Sequence, residues 1–173
     1  MIQSQRITLR KLKIQDATEV YLNWLNDSEI QKFTRRHNIK TSMADLQQFI
    51  ENTKNSDDIY LAIEITNGNK HIGNVFLINI DDNSKNAELT IMIGDQESQG
   101  QGYATETIEL VTKYAFETLG LHRLYAYSPN PSFNKVMKKI GWHFEGTQQE
   151  AFWDGEKFID NESWAILNNK KNQ

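Results

Sequence analysis

Residues Ser98 to Thr107 read S-Q-G-Q-G-Y-A-T-E-T, and they join two segments with different hydrophobic periodicities. Before them, residues 86–93 alternate apolar and polar side chains, which predicts a half-buried strand. After them, apolar residues recur at helical spacing as far as Gly120, a residue typical of a helix C-terminus. A glycine-bearing loop between a strand and a helix is typical of a phosphate-binding site. Its glycines let an anion approach the backbone, and the first N–H groups of the helix point at that anion.

Two common phosphate-binding motifs do not fit this loop. A P-loop requires a lysine directly after its last glycine, and no lysine follows Gly102. A dinucleotide fingerprint requires a third glycine where Thr105 stands, and an acidic residue about 20 positions further on, where Gly120 stands. The sequence therefore argues against a nucleotide triphosphatase and against an NAD-binding oxidoreductase. An ordinary glycine turn at the start of a helix stays open at this point.

Two segments resemble a known family. The pattern Gln99-x-x-Gly102-x-Ala104 resembles the Q/R-x-x-G-x-G/A pyrophosphate loop of the GCN5-related N-acetyltransferases (GNAT), which bind acetyl-coenzyme A (acetyl-CoA). Residues 130–142 read N-P-S-F-N-K-V-M-K-K-I-G-W and resemble that family's N-x-A/P-S-x-R/K-V-x-x-K-x-G-F. Because both segments agree, the chain is identified as a member of this family.

The C-terminal part resembles one branch of the family. Gly146, the turn at Asp154-Gly155 and residues 158–160 resemble the RimJ/RimL-like branch, which includes ribosomal-protein and polyamine acetyltransferases. The resemblance extends from Arg6 to Leu167, nearly the whole chain. We therefore expect a single GNAT acetyltransferase domain over residues 1–173, with residues 168–173 as a frayed tail.

The predicted elements follow one another in the order β-α-α-β-β-β-α-β-α-β-β. This order predicts an α/β (α+β) fold, with a mixed, mainly antiparallel sheet of about seven strands and helices on both faces. The resemblance implies that the fourth and fifth strands splay apart and that the pantetheine arm of acetyl-CoA enters between them.

Local signals predict where two helices begin and where one hairpin turns. Asp16 with Glu19 predicts a capping box at the first helix, and Ser42 with Asp45 caps the second. The dipeptide at positions 67–68, Asn-Gly, predicts a hairpin between two alternating segments.

The composition limits the classes of protein and of site. The net charge is −4, and the chain contains no cysteine. Disulfides, thiolate metal sites and a cysteine nucleophile are therefore excluded. The four histidines show no H-x-x-x-H pairing, so we expect no metal site. The acidic balance argues against nonspecific nucleic-acid binding, and no apolar run approaches the length of a bilayer. We expect a cytoplasmic protein without a nucleic-acid or membrane partner, and a homodimer stays open.

Glu88 is the predicted catalytic residue. An amine that attacks a thioester must first lose a proton, because an alkylammonium has no lone pair. Glu88 lies on the strand before the loop, and family members that use a glutamate base place it at a similar position. Glu150 and Asp160, near the final hairpin, are the alternatives. Direct attack needs no covalent intermediate, which suits a chain without cysteine.

The resemblance also implies which residues contact acetyl-CoA. A backbone N–H of Met92 or Ile93 is expected to bind the oxyanion of the reacting carbonyl. Asn130 is expected to bond the pantetheine arm, and it is also a predicted N-cap before Pro131. Lys135 holds the family's basic position, with a solvated helix face as its alternative. The full predicted set is Met92, Ile93, Gln99, Gly100, Gln101, Gly102, Tyr103, Ala104, Thr105, Asn130 and Lys135.

The chain departs from the family at the proton donor for the departing thiolate. Phe133 and Met137 stand where relatives place a serine or a tyrosine, and neither side chain can donate a proton. Either a different group, such as Tyr103, Tyr125 or Tyr127, supplies the proton, or the thiolate leaves unassisted. A thiol pKa of about 8.5 makes unassisted departure tolerable.

The acceptor is the least defined part of the prediction. Residues 32–40 carry four lysines and arginines, including Arg35 and Arg36, and the family's connection at this place borders the acceptor. An anionic acceptor such as a nucleotide-linked amino sugar suits these charges. A polyamine, a protein N-terminal amine and a merely solvated loop stay open. Trp153 is the predicted aromatic wall of the acceptor pocket.

One alternative belongs to a different functional class. A non-catalytic module that binds acyl-CoA as a sensor would retain the phosphate-binding loop and could dispense with a proton donor. The two replaced donor positions, Phe133 and Met137, are its support.

Overall fold

The computed structural model describes residues 1–34 and 39–169. Its helices are α1 (Glu19–Asn26), α2 (Ser28–Gln31), α3 (Met43–Asn52), α4 (Tyr103–Glu117) and α5 (Pro131–Lys139). Its strands are β1 (Ile2–Gln3), β2 (Ile7–Lys11), β3 (Ile59–Ile65), β4 (Lys70–Asp81), β5 (Asn86–Ile93), β6 (Arg123–Ser128), β7 (His143–Trp153) and β8 (Phe158–Leu167). Within the described ranges, no helix is both long and apolar enough to cross a bilayer.

One mixed sheet contains these strands in the order β1-β2-β3-β4-β5-β6-β8-β7. Each neighbouring pair is antiparallel except β5 and β6, which run parallel. Helices lie on both faces, so the predicted fold class is confirmed. The additional strand is β1, whose two residues are too few to show an alternating pattern.

The sheet separates two apolar cores. Helices α4 and α5 cover one face, where Ile108 and Met137 are fully buried together with Leu89 of β5. Helices α1 and α3 cover the other face, where Met92 of β5 packs against a cluster that contains Ile50. We call this second side the α1/α3 face. Residues of β5 with odd and even numbers therefore point to opposite cores, as expected for a strand.

The start of α1 differs from the prediction. Thr18 is the N-cap, and its side chain accepts a hydrogen bond from the Tyr21 N–H. The Asp16 carboxylate instead accepts two hydrogen bonds from Arg10, at 2.6 and 2.8 Å, and one from the Lys13 N–H at 2.7 Å. The predicted capping role of Asp16 is wrong, because an arginine on the neighbouring strand holds the carboxylate before the helix begins.

Other local predictions are confirmed. Ser42 and Asp45 form the capping box of α3, and the β3–β4 hairpin turns through Gly68 at φ 95°. Helix α2, capped by Asp27, was not predicted, because its four residues are too few to show a helical period. Asn168 still donates a backbone hydrogen bond of 2.8 Å, and residues 170–173 of the predicted tail lie outside the described residues.

Strands β5 and β6 pair over only three positions and then separate. The paired positions are Asn86 with Arg123, Ala87 with Leu124, and Glu88 with Tyr125. Among the described residues, positions 89–93 of β5 have no partner on β6. We call this opening the β5–β6 gap, and five residues of strand make it about 16 Å long. Because β1 was not predicted, β5 and β6 are the fourth and fifth strands of the sequence prediction, and their predicted separation is confirmed.

Candidate active site

The loop between β5 and α4 has the geometry of an anion cradle. Gly100 and Gly102 have φ angles of 72° and 85°, in the left-handed region that glycine adopts without strain. Gly102 is the N-cap of α4, and no side chain among the described residues caps this helix. The first N–H groups of α4, which include those of Tyr103 to Thr105, have no partner within the helix. Several backbone donors and the positive end of the helix dipole therefore meet at one turn.

Arg6 fixes this loop from the side. Its Nε donates to Glu106 Oε2 at 2.7 Å, and its Nη1 donates to the Gln101 carbonyl at 3.2 Å. Its guanidinium also lies 4.8 Å from the centre of the Tyr103 ring. Burial raises the pKa of Glu106, but hydrogen bonds from Ser4 and Arg6 outweigh that effect, so the pKa is lowered. Sequence reasoning missed Arg6 as a site residue because its contacts span 95 residues or more.

The end of β5 is held just before the loop. The Gly94 N–H donates to the Ile72 carbonyl of β4 at 2.9 Å, and Gln99 Nε2 donates to the Ile93 carbonyl at 3.0 Å. Backbone groups alternate sides along a strand, so the Met92 N–H faces β4 like that of Gly94, and the Ile93 N–H faces the β5–β6 gap. Of the two predicted oxyanion donors, the geometry therefore favours Ile93.

Helix α1 packs closely against Gly94, the residue that follows β5. Trp24 lies directly over Gly94, and a Cβ built on Gly94 would come within 2.1 Å of the indole ring. Only glycine permits this approach. The contact links α1 to the residue at which β5 passes into the phosphate-binding loop.

Glu88 lies at the closed end of the β5–β6 gap. It lies four residues before Met92 on the same face of β5 and so projects from the α1/α3 face, away from the core around Leu89. Asn79 Nδ2 donates to Glu88 Oε2 at 3.0 Å. Asn79 lies in an irregularity of β4 and has a φ of 53°, which turns its amide towards the carboxylate. Glu88 is half-buried, so a base at this point is both oriented and accessible.

Two tyrosines on β6, Tyr125 and Tyr127, lie beside Glu88, and the sequence did not predict their positions relative to it. Tyr125 is the Cα partner of Glu88, and burial, followed by the charge of Glu88, raises the pKa of Tyr125. Tyr127 is two residues further along β6, on the same face and beside the β5–β6 gap, and its ring centre lies 5.6 Å from that of Tyr125. Tyr127 is 40% exposed, and within the described chain its hydroxyl has no hydrogen-bond partner. The alternation of Arg123, Tyr125 and Tyr127 was the available signal in the sequence.

The start of α5 is built around Asn130. Its Oδ1 accepts a hydrogen bond from the Ser132 N–H at 2.9 Å, so the predicted N-cap is confirmed. The cap uses the carbonyl oxygen of the amide and leaves Nδ2 for a ligand. Lys135 is exposed on the same helix, and its predicted contact with acetyl-CoA stays a prediction, as does that of Asn130.

The two replaced donor positions belong to the core. Met137 is fully buried, and Phe133 packs against the same cluster. Both side chains contribute apolar contacts where relatives place a hydroxyl, so the structure gives a packing reason for their identity.

The β7–β8 hairpin holds the remaining candidates. Trp153 is 44% exposed, with its ring centre 4.9 Å from that of Phe158 near the tip. The Asp160 carboxylate accepts a hydrogen bond from the Glu150 N–H at 2.9 Å, and both residues are exposed. These two carboxylates lie on the hairpin beyond the end of β6, whereas Glu88 lies beside the β5–β6 gap.

Asp154 lies in the turn between β7 and β8, at the tip of their hairpin. Backbone N–H groups of Lys157 and Glu156 lower the pKa of Asp154, and the nearby charge of Lys32 lowers it further. Arg35 and Arg36, the predicted acceptor-binding residues, lie outside the described residues.

The chain matches a family model over most of its length. The model described as "Acetyltransferase (GNAT) domain" covers residues 6–143. The chain therefore belongs to the GNAT acetyltransferases, as the two sequence motifs predicted, and it is an acyl-CoA-dependent N-acetyltransferase.

Relatives and solved structures agree with this assignment. The chain is 27% identical to "Probable N-acetyltransferase YjcK" of Bacillus subtilis (strain 168) over 97% of each chain. It is 26% identical to a spermidine N-acetyltransferase from Vibrio cholerae, solved in complex with CoA and spermine. That likeness has a TM-score of 0.85 and covers 95% of this chain and 96% of the other. A ribosomal-protein-S5-alanine acetyltransferase from Vibrio fischeri shares the fold, at 19% identity and TM-score 0.81 over 99% of this chain and 98% of the other.

Proposed function

We propose that this protein moves an acetyl group from acetyl-CoA to a primary amine by direct attack. The observation that carries the proposal is the position of Glu88. This carboxylate lies where β5 and β6 stop pairing, at the closed end of a gap whose open end meets the anion cradle at Gly100 and Gly102. A carrier held by its diphosphate at the cradle would direct its arm along the gap towards Glu88.

The chain's own groups fit this carrier. Backbone donors of the loop and of the first turn of α4 suit a diphosphate, because they supply N–H groups without a competing side-chain cap. The unpaired edge of β5 offers the Ile93 N–H, and α5 offers the Asn130 amide, to the peptide-like groups of a pantetheine arm. Acetyl-CoA, when bound, supplies an activated thioester carbonyl.

Three groups act on the reacting atoms. Glu88 accepts the proton that the amine must lose, either directly or through a water molecule. The Ile93 N–H donates a hydrogen bond to the oxygen of the reacting carbonyl. Tyr127 donates from its hydroxyl to the sulfur as the C–S bond breaks, in place of the donors that Phe133 and Met137 cannot supply. The support for Tyr127 is its position beside the gap and its hydroxyl, which has no hydrogen-bond partner among residues 1–34 and 39–169.

Several acceptors are compatible with this chemistry. The likeness to a spermidine N-acetyltransferase supports a polyamine. The sequence resemblance to the RimJ/RimL-like branch, which includes ribosomal-protein acetyltransferases, supports a protein N-terminal amine. A nucleotide-linked amino sugar is supported by the charges of Arg35 and Arg36. Trp153, an exposed ring near the hairpin tip, would form part of the pocket mouth. The proposal includes a cytoplasmic location, where acetyl-CoA is available.

An acceptor panel read by free thiol tests the proposal. The protein is incubated with acetyl-CoA and single amines: an amino sugar, a polyamine, a simple alkylamine and a peptide with an open N-terminus. We expect thiol release that requires an amine and yields the N-acetyl product. A sensor module would bind acetyl-CoA and release no thiol with any amine, and that result would contradict the proposal.

A further inference from the structure

Three aromatic rings form a patch on the α1/α3 face. Phe49 of α3 lies 5.8 Å from Tyr60 of β3 and 6.0 Å from Phe76 of β4, measured between ring centres. Tyr60 and Phe76 are 4.9 Å apart. Phe49 is 37% exposed and the other two rings are half-buried, so the patch has an open edge. We call it the aromatic patch.

The strand register places this patch next to Glu88. Tyr60 is the Cα partner of Phe76, and Phe76 is the partner of Thr90 on β5. Glu88 is two residues from Thr90 on the same face of β5, so the patch begins about one strand spacing, roughly 5 Å, from the column that holds the base. On the other side of that column, Tyr125 is the β6 partner of Glu88.

Glu88 therefore stands between two groups of aromatic rings. The aromatic patch lies on its β4 side, and the Tyr125–Tyr127 pair lies on its β6 side. A carboxylate with aromatic rings on both sides suits a primary ammonium, because the carboxylate attracts its charge and the rings attract both the cation and the carbons attached to it.

Two further charged side chains, Asp58 and Arg123, lie near these rings, and both have hydrogen-bond partners. Asp58 accepts hydrogen bonds from the Tyr60 hydroxyl at 3.4 Å and from the Ile80 N–H at 3.3 Å. Arg123, which shares the face of Tyr125, forms two hydrogen bonds of 2.6 and 2.7 Å with Glu145. The ion pair of Arg123 with Glu145 disfavours a phosphate at this point, since Arg123 would have to give up its present partner.

We infer that the acceptor is a primary amine on an apolar or aromatic body, with arylalkylamines as the representative class. This inference rests on the proposed function and narrows its acceptor. The amine would lie at Glu88, and the body would lie on the aromatic patch, with the exposed edge of Phe49 as its outer contact.

A matched pair of amines tests the inference. In the acetyl-CoA assay, 2-phenylethylamine is compared with ethanolamine, which carries its amine on the same two-carbon chain but has no ring. Spermidine and glucosamine are compared as well. We expect kcat/KM for 2-phenylethylamine to exceed each of the others by at least about tenfold, the scale on which an apolar pocket discriminates. Phe49→Ala should remove most of this preference, mainly through the KM for the amine.

Phe144→Ala is the control. Phe144 is 45% exposed and makes a ring contact with Trp164, a residue of the core on the opposite face of the sheet. This variant should keep the full preference. Equal or better turnover of ethanolamine, spermidine or glucosamine would overturn the inference, as would a preference that survives Phe49→Ala. In those cases the transferase proposal stands, whereas the absence of thiol release with every amine would overturn both.

Discussion

The guanidinium of Arg6 lies 2.6 Å from the carboxylate of Glu106, although 100 residues separate them in the chain. The pair connects the residue before β2 to the first turn of α4, and the same guanidinium holds the Gln101 carbonyl. The loop between β5 and α4 is thus fixed before any ligand arrives. Preorganised donors of this kind bind an anion without a further ordering cost.

Arg6→Ala should weaken the use of acetyl-CoA. We expect the KM for acetyl-CoA to rise by about tenfold, the value of one or two charge-assisted hydrogen bonds, while kcat changes little. Steady-state kinetics at saturating amine measure both constants. Lys113→Ala, which removes an exposed cation from α4, is the control and should leave both unchanged. An unaltered KM in Arg6→Ala would show that the loop does not depend on this arginine.

Glu88→Gln should lower kcat by about 10² to 10⁴-fold, the range for loss of a general base, with acetyl-CoA affinity retained. The amide keeps the size of the side chain but cannot accept a proton from the amine. The rate should recover in part at alkaline pH, where more of the amine is already deprotonated. If Glu150→Gln or Asp160→Asn lost this activity and Glu88→Gln kept it, the base would lie on the β7–β8 hairpin.

Tyr127→Phe should lower kcat by about tenfold to a hundredfold and leave the KM for acetyl-CoA nearly unchanged. The variant keeps the ring contact with Tyr125 and removes only the hydroxyl. Tyr114→Phe, on α4, is the matched control. Identical kcat values for wild type and Tyr127→Phe would assign thiolate departure to another group or to no group.

Asp16→Asn should destabilise the fold at neutral pH by about 2 kcal/mol, because Arg10 loses a charged partner. Asp16 is nearly buried; burial raises its pKa, but bonds from Arg10 and Lys13 outweigh that effect and lower it below 3.8. A lowered carboxyl pKa adds stability above the unfolded value, and this stability is lost as pH falls through the folded value. Chemical unfolding at pH 7 and in steps below about pH 4 should therefore show a gap between wild type and variant that narrows with acid. A gap that widens, or none at pH 7, would contradict the account of this ion pair.

The sequence was informative wherever the signal is local. The alternation of residues 86–93, the two glycines of the loop and the helical spacing of α4 lie within one short segment and were read correctly. The Asn-Gly hairpin and the Ser42 capping box are equally local.

Contacts between distant segments could not be read in the same way. The Arg6–Glu106 pair and the register that brings Tyr125 to Glu88 depend on how strands and helices align in space, which one sequence does not encode locally. The wrong prediction at Asp16 also comes from a contact between separate segments. An aspartate is a typical N-cap residue, but Arg10 on β2 binds its carboxylate instead. The proposed acceptor patch depends on the alignment of α3, β3 and β4 and was likewise invisible.

The affinity of CoA for wild type, Gly102→Ala and Gly120→Ala, measured by calorimetric titration, tests most directly whether the β5–α4 turn binds the diphosphate. Both glycines have left-handed φ angles, 85° at Gly102 and 68° at Gly120, so both variants carry similar backbone strain, but Gly120 lies after the C-terminal end of α4, at the opposite end of that helix from the turn. We predict that CoA binding weakens by about tenfold or more in Gly102→Ala alone, since strain of 1–2 kcal/mol distorts the turn, and that pantetheine, which has no diphosphate, does not distinguish the variants. CoA affinity that is equal in wild type and Gly102→Ala would contradict the account.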